Sequence, residues 1–152
     1  MVTRVPVTTV TSAPRVLLAE DDPELRYLLG QELTLAGFQV QAAADGDGVF
    51  DLLRRPSPVG PPDVFVMDVR MPRMSGLDAL RALRLGTLSQ PVVLVTGFAE
   101  PALHAEALAS GASVVLDKPL DVGELTEMVR LLAQRYRADL RLASRPAPAL
   151  AR

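Results

Sequence analysis

Five short apolar runs, Arg15–Ala19, Gln39–Ala43, Asp63–Met67, Pro91–Val95 and Ser113–Asp117, recur along the chain, each bounded by turn signals. Most are rich in Val and Leu. Their apolarity is continuous and does not alternate, which predicts strands buried on both faces, as in a parallel sheet. A chain that must bury several such strands needs helices on both sides of them.

The intervening stretches carry helix signals. Asp22 fits an N-cap with Pro23 at the first helical position, and Gly37 fits the end of that helix. Ser75-Gly76-Leu77-Asp78 fits a capping box. Gly111 stands where a helix begun near Glu100-Pro101 would end, and a last helix from about Asp121 sets Leu125, Met128, Val129, Leu132 and Tyr136 on one stripe. The order is βα five times. Right-handed crossovers then give an α/β three-layer sandwich around a central five-stranded parallel sheet. Binding in such sheets occurs at the carboxyl ends of the strands, near the switch in strand order.

Length and charge narrow the classes. The 152 residues suit one domain with tails, read as a flexible extension over 1–14, a domain over 15–137 and a Pro/Ala/Arg-rich flexible tail over 138–152. A hydrophobic share of 49% excludes disorder throughout, and a net charge of −2 favours neither bulk nucleic-acid binding nor a membrane surface. The charge is uneven: residues 130–152 hold six Arg and one Asp, net +5, leaving −7 on the rest. The absence of cysteine excludes disulfides and thiol chemistry, and a single histidine excludes a multi-His metal centre. No apolar run approaches the roughly 18 residues of a membrane span, and the N-terminus lacks a secretory h-region, so a soluble cytoplasmic protein is expected.

Chemistry-bearing residues stand at the strand ends: Glu20-Asp21-Asp22 after the first, Asp68 after the third, Thr96 after the fourth and Lys118-Pro119 after the fifth. Lys118 is the one lysine among sixteen basic residues, so its place at such an end is informative. Clustered carboxylates repel unless a cation neutralises them, and an oxygen-rich site of this kind suits Mg²⁺. With its charge offset, one carboxylate can attack a phosphoryl group while a hydroxyl and an ammonium hold its oxygens.

Four segments, VLLAEDDPELR (16–26), DVRMPRMSGLDAL (68–80), VVLVTG (92–97) and GASVVLDKP (111–119), together resemble the receiver domain of two-component response regulators. The resemblance covers roughly residues 14–136 and implies a flavodoxin-like (βα)5 fold. It implies Asp68 as the phospho-acceptor, Asp21 on Mg²⁺ and Glu20 acting through water. The backbone carbonyl of Arg70 would be a further metal ligand, and Thr96 and Lys118 would bind the phosphoryl oxygens. Asp22 is left as the helix cap, an alignment that puts Arg26 at its usual place. Pro119 resembles the proline whose preceding peptide bond is usually cis. Arg70 and Phe98 fall where side chains border the path of attacking water. The DxRMPxMSG stretch is similar to the subgroup often fused to helix-turn-helix output domains. One position departs from the pattern: Val115 stands where the family usually has a switching Tyr or Phe.

The implied function is a phosphorylation-dependent switch, cytoplasmic, in a phosphorelay. It would be loaded on Asp68 by a sensor histidine kinase or phosphotransfer protein and would act on an unknown downstream protein. It is a signalling module more than an enzyme, limited to self-catalysed phosphotransfer and slow autodephosphorylation. No nucleic-acid-binding domain fits after residue 136, so a stand-alone regulator and the receiver part of a longer one both remain open. A constitutive pseudo-receiver, motivated by Val115, is the alternative, and a small phosphohydrolase ranks last. His104 reads as a surface residue without a second ligand. Asp45-Gly46-Asp47-Gly48 reads as a cap and turn, since its spacing does not fit a calcium loop.

Overall fold

Alternate residues of the inner strands feed two separate cores, because successive strand side chains point to opposite faces. In the computed structural model, which describes residues 12–98 and 100–149, the elements are β1 (Arg15–Ala19), α1 (Pro23–Leu35), β2 (Gln39–Ala43), α2 (Gly46–Arg54), β3 (Val64–Asp68), α3 (Gly76–Leu85), β4 (Val92–Thr96), α4 (Pro101–Ala109), β5 (Val114–Asp117) and α5 (Val122–Ala143). The strands form one sheet in the order β2-β1-β3-β4-β5, and every pairing is parallel. Leu17, Phe65, Met67 and Leu94 pack with Val49, Leu80, Leu83 and Ala107 under α2, α3 and α4. Val16, Leu18, Val66 and Val93 pack with Leu29, Leu33, Leu125 and Val129 under α1 and α5. The result is the flavodoxin-like three-layer sandwich.

The local signals act as the sequence predicts. The Asp22 side chain accepts from the N–H groups of Glu24 and Leu25, and that of Ser75 from Asp78. Asp45 caps α2 by accepting from Gly48, so the Asp-Gly repeat is a cap and a helix start. Gly37 and Gly111 follow α1 and α4 with φ of 100° and 106°, the left-handed conformation that ends a helix.

Three features differ from the sequence reading. β2 carries exposed Gln39, Gln41 and Ala42 because it is an edge strand with one neighbour. β5, at the other edge, is half-buried. The expected domain boundary at 137 falls inside α5, which continues to Ala143, shortly before the helix-breaking Pro146. Arg137, on this longer helix, makes a 2.8 Å ion pair with buried Asp63 and donates to the carbonyls of Ser12 and Ala13. The last residues of the expected N-terminal extension are thus tied to α5, and residues 1–11 lie outside the described part.

Candidate functional site

The strand order reverses between β1 and β3, and the carboxyl ends of those two strands carry three acids. Glu20, Asp21 and Asp68 each offer a carboxylate oxygen, and these oxygens lie within 4.8 Å of one another. Glu20 is 2% exposed and Asp68 6%, whereas Asp21 is an exposed residue at the mouth of the cluster. β5 delivers the counter-charge. Lys118 Nζ lies 2.9 Å from Asp68 Oδ2 and 3.4 Å from Glu20 Oε2. The Lys118–Pro119 peptide bond is cis, as the resemblance of Pro119 implies.

The electrostatics follow from burial and like charge. Burial, and then the Asp68 carboxylate beside it, push the Glu20 carboxyl up to about 7, against the opposing pull of the Asp22 N–H and Lys118. Burial disfavours the Lys118 charge, but the hydrogen bond to Asp68 and the two carboxylates outweigh it and hold its pKa above the ordinary lysine value. One ammonium thus faces a cluster of acids, and an all-oxygen donor set with that surplus of negative charge fits a hard divalent cation.

The loop after β3 is folded tightly against the site. Arg70 N–H donates to Asp68 Oδ1 at 3.1 Å, and Gly76 N–H donates to the Val69 carbonyl at 2.9 Å. A Cβ on Gly76 would lie 2.1 Å from the Asp68 carbonyl oxygen, so the start of α3 approaches this strand end only with glycine there. This is a physical reason for the glycine of the MSG sequence.

Thr96 is one residue past Val95, the β4 partner of Asp68. It is buried, and its hydroxyl accepts from the Phe98 N–H at 3.0 Å. The structure therefore places Thr96 at the shared edge, with its hydroxyl on the following loop. Val115 is half-buried and packs on the α2/α3/α4 core. The Arg70 side chain meets the Phe98 ring across the two loops. His104 does have a partner: its Nε2 lies 2.8 Å from Asp117 Oδ1, joining α4 to the residue before Lys118. Thirteen positions separate the pair, and no helical or strand period links them. The Arg26 guanidinium donates to the carbonyls of Glu20 and Asp21, a contact that its position in the sequence does not reveal.

The family model of the response regulator receiver domain matches residues 16–130. The chain belongs to that family. Receiver domains are phosphorylation-dependent switches of two-component systems, bind Mg²⁺ and interact with histidine kinases or phosphotransfer proteins. Regulatory protein AtoC of Escherichia coli strain K12 is 34% identical over 125 residues, 82% of this chain and 26% of that protein. Transcriptional regulatory protein CpxR of the same strain is 36% identical over 121 residues, 80% of this chain and 50% of that protein. Transcriptional regulatory protein KdpE of Mycobacterium tuberculosis is 33% identical over 127 residues, 84% and 54%. This receiver domain thus spans between a quarter and about half the length of these relatives. Among solved structures, the receiver domain of Francisella response regulator 1452 superposes with a TM-score of 0.74 at 29% identity, covering 80% of this chain and 98% of that one. The signal receiver domain of a putative Luxo repressor protein from Vibrio parahaemolyticus gives 0.79 at 25%, covering 88% and 99%. No helix among the described residues is long and apolar enough to cross a membrane.

Proposed function

We propose that this receiver domain accepts a phosphoryl group on Asp68 from the phosphohistidine of a sensor histidine kinase or phosphotransfer protein, in the cytoplasm, and switches a downstream protein. The observation that carries the proposal is the buried Asp68 carboxylate, paired with Lys118 and crowded by Glu20 and Asp21. An Asp68 oxygen attacks phosphorus, the P–N bond to the imidazole breaks, and the leaving imidazole nitrogen takes up a proton. The product is an acyl phosphate. Water later attacks that phosphorus, the O–P bond breaks, and inorganic phosphate leaves with the carboxylate restored.

The residues have distinct parts. Asp21, Asp68 and the Arg70 carbonyl would hold Mg²⁺, with Glu20 reaching it through water. When bound, the ion would supply positive charge that offsets the carboxylates and the incoming phosphoryl group. Lys118, already on Asp68, moves with its charge to a phosphoryl oxygen. The Thr96 hydroxyl, held by the Phe98 N–H before transfer, turns to donate to another. These charge-assisted contacts favour the transition state because they strengthen as the phosphoryl group approaches.

The test is incubation with a small phosphodonor and Mg²⁺, read by intact mass. The wild type should gain one acid-labile phosphoryl group, and Asp68→Asn should gain none while keeping its fold. Uptake by the Asn variant would overturn Asp68. A wild type that takes up nothing would favour the constitutive pseudo-receiver that Val115 motivates.

A further inference from the structure

We propose that Arg26 is a positioning residue for the metal-binding acids: its guanidinium fixes the main chain of Glu20 and Asp21 so that both carboxylates face Asp68. The proposal rests on the reading of this cluster as a Mg²⁺ site. It concerns how the loop after β1 keeps its shape.

That loop leaves the sheet at Ala19, the last β1 residue in register with its neighbours. Glu20 is still anchored, since its N–H donates to the Ala43 carbonyl at 3.1 Å and its side chain accepts from Asp22 and Lys118. Asp21 is not. It is exposed, and its carboxylate has no hydrogen-bond partner among the described residues. The direction of that carboxylate is therefore set by the main chain on either side of it.

Arg26 acts on that main chain. Its Nη1 donates to the Glu20 carbonyl at 2.8 Å and to the Asp21 carbonyl at 3.4 Å, spanning the two consecutive peptide groups that bracket Asp21. The base of the side chain is fixed, because the Arg26 N–H donates to the Asp22 carbonyl at 2.8 Å in the first turn of α1. Long helix side chains lean toward the helix N-terminus, which aims this one back at the loop. The half-buried guanidinium forms no ion pair with a carboxylate among the described residues. Its charge is placed behind the acids, on carbonyl oxygens, so it eases their mutual repulsion without occupying the oxygens a cation would need. A planar guanidinium can serve neighbouring acceptors from a fixed orientation, and a lysine ammonium at the end of a flexible stem holds them less rigidly.

A purely structural role predicts something different. The stem of Arg26 lines a surface groove with Tyr27, Gly30 and Val40, so its loss could affect stability alone. The experiment measures Mg²⁺ affinity by titration calorimetry and stability in urea for wild type, Arg26→Ala and Arg26→Lys. Partners that orient ligands from behind are worth about tenfold or more in metal affinity, so Arg26→Ala should bind Mg²⁺ about tenfold more weakly. Arg26→Lys should fall between it and wild type. Phosphoryl uptake by Arg26→Ala should recover toward the wild-type rate as Mg²⁺ is raised, since the nucleophile is untouched. Unchanged Mg²⁺ affinity in Arg26→Ala, with or without lost stability, overturns the proposal. If the Ala variant does not fold, wild-type affinity in the Lys variant overturns it equally. A wild type that binds no Mg²⁺ would instead sink the reading of the site itself.

Discussion

The Arg70 guanidinium lies over the Phe98 ring, 3.5 Å from its centroid. The contact joins the loop that leaves Asp68 to the loop that leaves Thr96, and a cation–π pair at a partly exposed site contributes about 0.5–1 kcal/mol. Both side chains are bulky, and the resemblance to other receiver domains implies that water approaches an aspartyl phosphate past them. We expect slow autodephosphorylation, and a faster decay in the double variant Arg70→Ala/Phe98→Ala. Decay of the phosphorylated mass after removal of the donor measures it; an unchanged rate would show that the pair does not obstruct the water.

The adjacent acids Asp21 and Asp22 separate by function. Asp22 caps α1 through two backbone N–H groups, so Asp22→Ala should cost about 0.5–2 kcal/mol of stability with little effect on Mg²⁺ affinity. Asp21 caps nothing and faces the cluster, so Asp21→Ala should weaken Mg²⁺ binding and phosphoryl uptake with little effect on stability. Urea unfolding and calorimetry on both variants provide the check. Equal loss of Mg²⁺ affinity in the two would reverse the alignment of the acidic pair.

Much of this arrangement was legible in the chain because it is written in local patterns. The caps Asp22 and Ser75, the terminal glycines Gly37 and Gly111 and the buried runs of β1, β3 and β4 each follow from chemistry within a few residues. The strand ends then placed Glu20, Asp68 and Lys118 together through topology. Long-range polar contacts had no such signature. Arg137 meets Asp63 across 74 positions, and His104 meets Asp117 between a helix and a strand. The end of α5 is illegible for a different reason: Asp139–Ala143 is exposed, so its helicity leaves no buried stripe to read.

The raised pKa of Glu20 gives a pH dependence with a definite sign. Its carboxyl rises from 4.5 to about 7 in the metal-free fold, first through burial and then through the Asp68 charge, with Lys118 opposing and exposed Asp21 nearby. The folded state then holds more protons than the unfolded state between those values. This group's contribution to stability is full below about 4.5 and is lost as pH rises through about 7. Carbon-13 NMR of the Glu20 carboxyl should show a midpoint near neutrality without Mg²⁺. In Asp68→Asn that midpoint should fall, because a neighbouring negative charge is gone. A wild-type midpoint in the usual carboxylate range would contradict the burial argument.

The last expectation concerns how phosphorylation reaches the surface. A phosphoryl group on Asp68 adds nearly two negative charges and draws on Lys118 and Thr96. In many receivers a Tyr or Phe three residues before the lysine then moves inward; here Val115 is short, stiff at χ1 and packed on the core. Two other links lead to α4. Thr96 is bonded to Phe98 in the loop before the helix, and Asp117, next to Lys118, is bonded to His104 on it. The helix is lightly held: Ala107 is its one buried residue among those described, and Glu100 forms no side-chain cap. We therefore expect a phosphoryl analogue to change hydrogen exchange over residues 96–104 and to leave 113–116 nearly unaltered, with weak dimerisation through α4, β5 and α5. A tenfold preference of a partner for the phosphorylated state needs about 1.4 kcal/mol between the two arrangements of α4. His104→Ala should shrink the exchange difference by removing one of the two links. A large change over 113–116 with strong dimerisation would place the switch in β5 instead, and no change despite stoichiometric analogue binding would mark a constitutive interaction module.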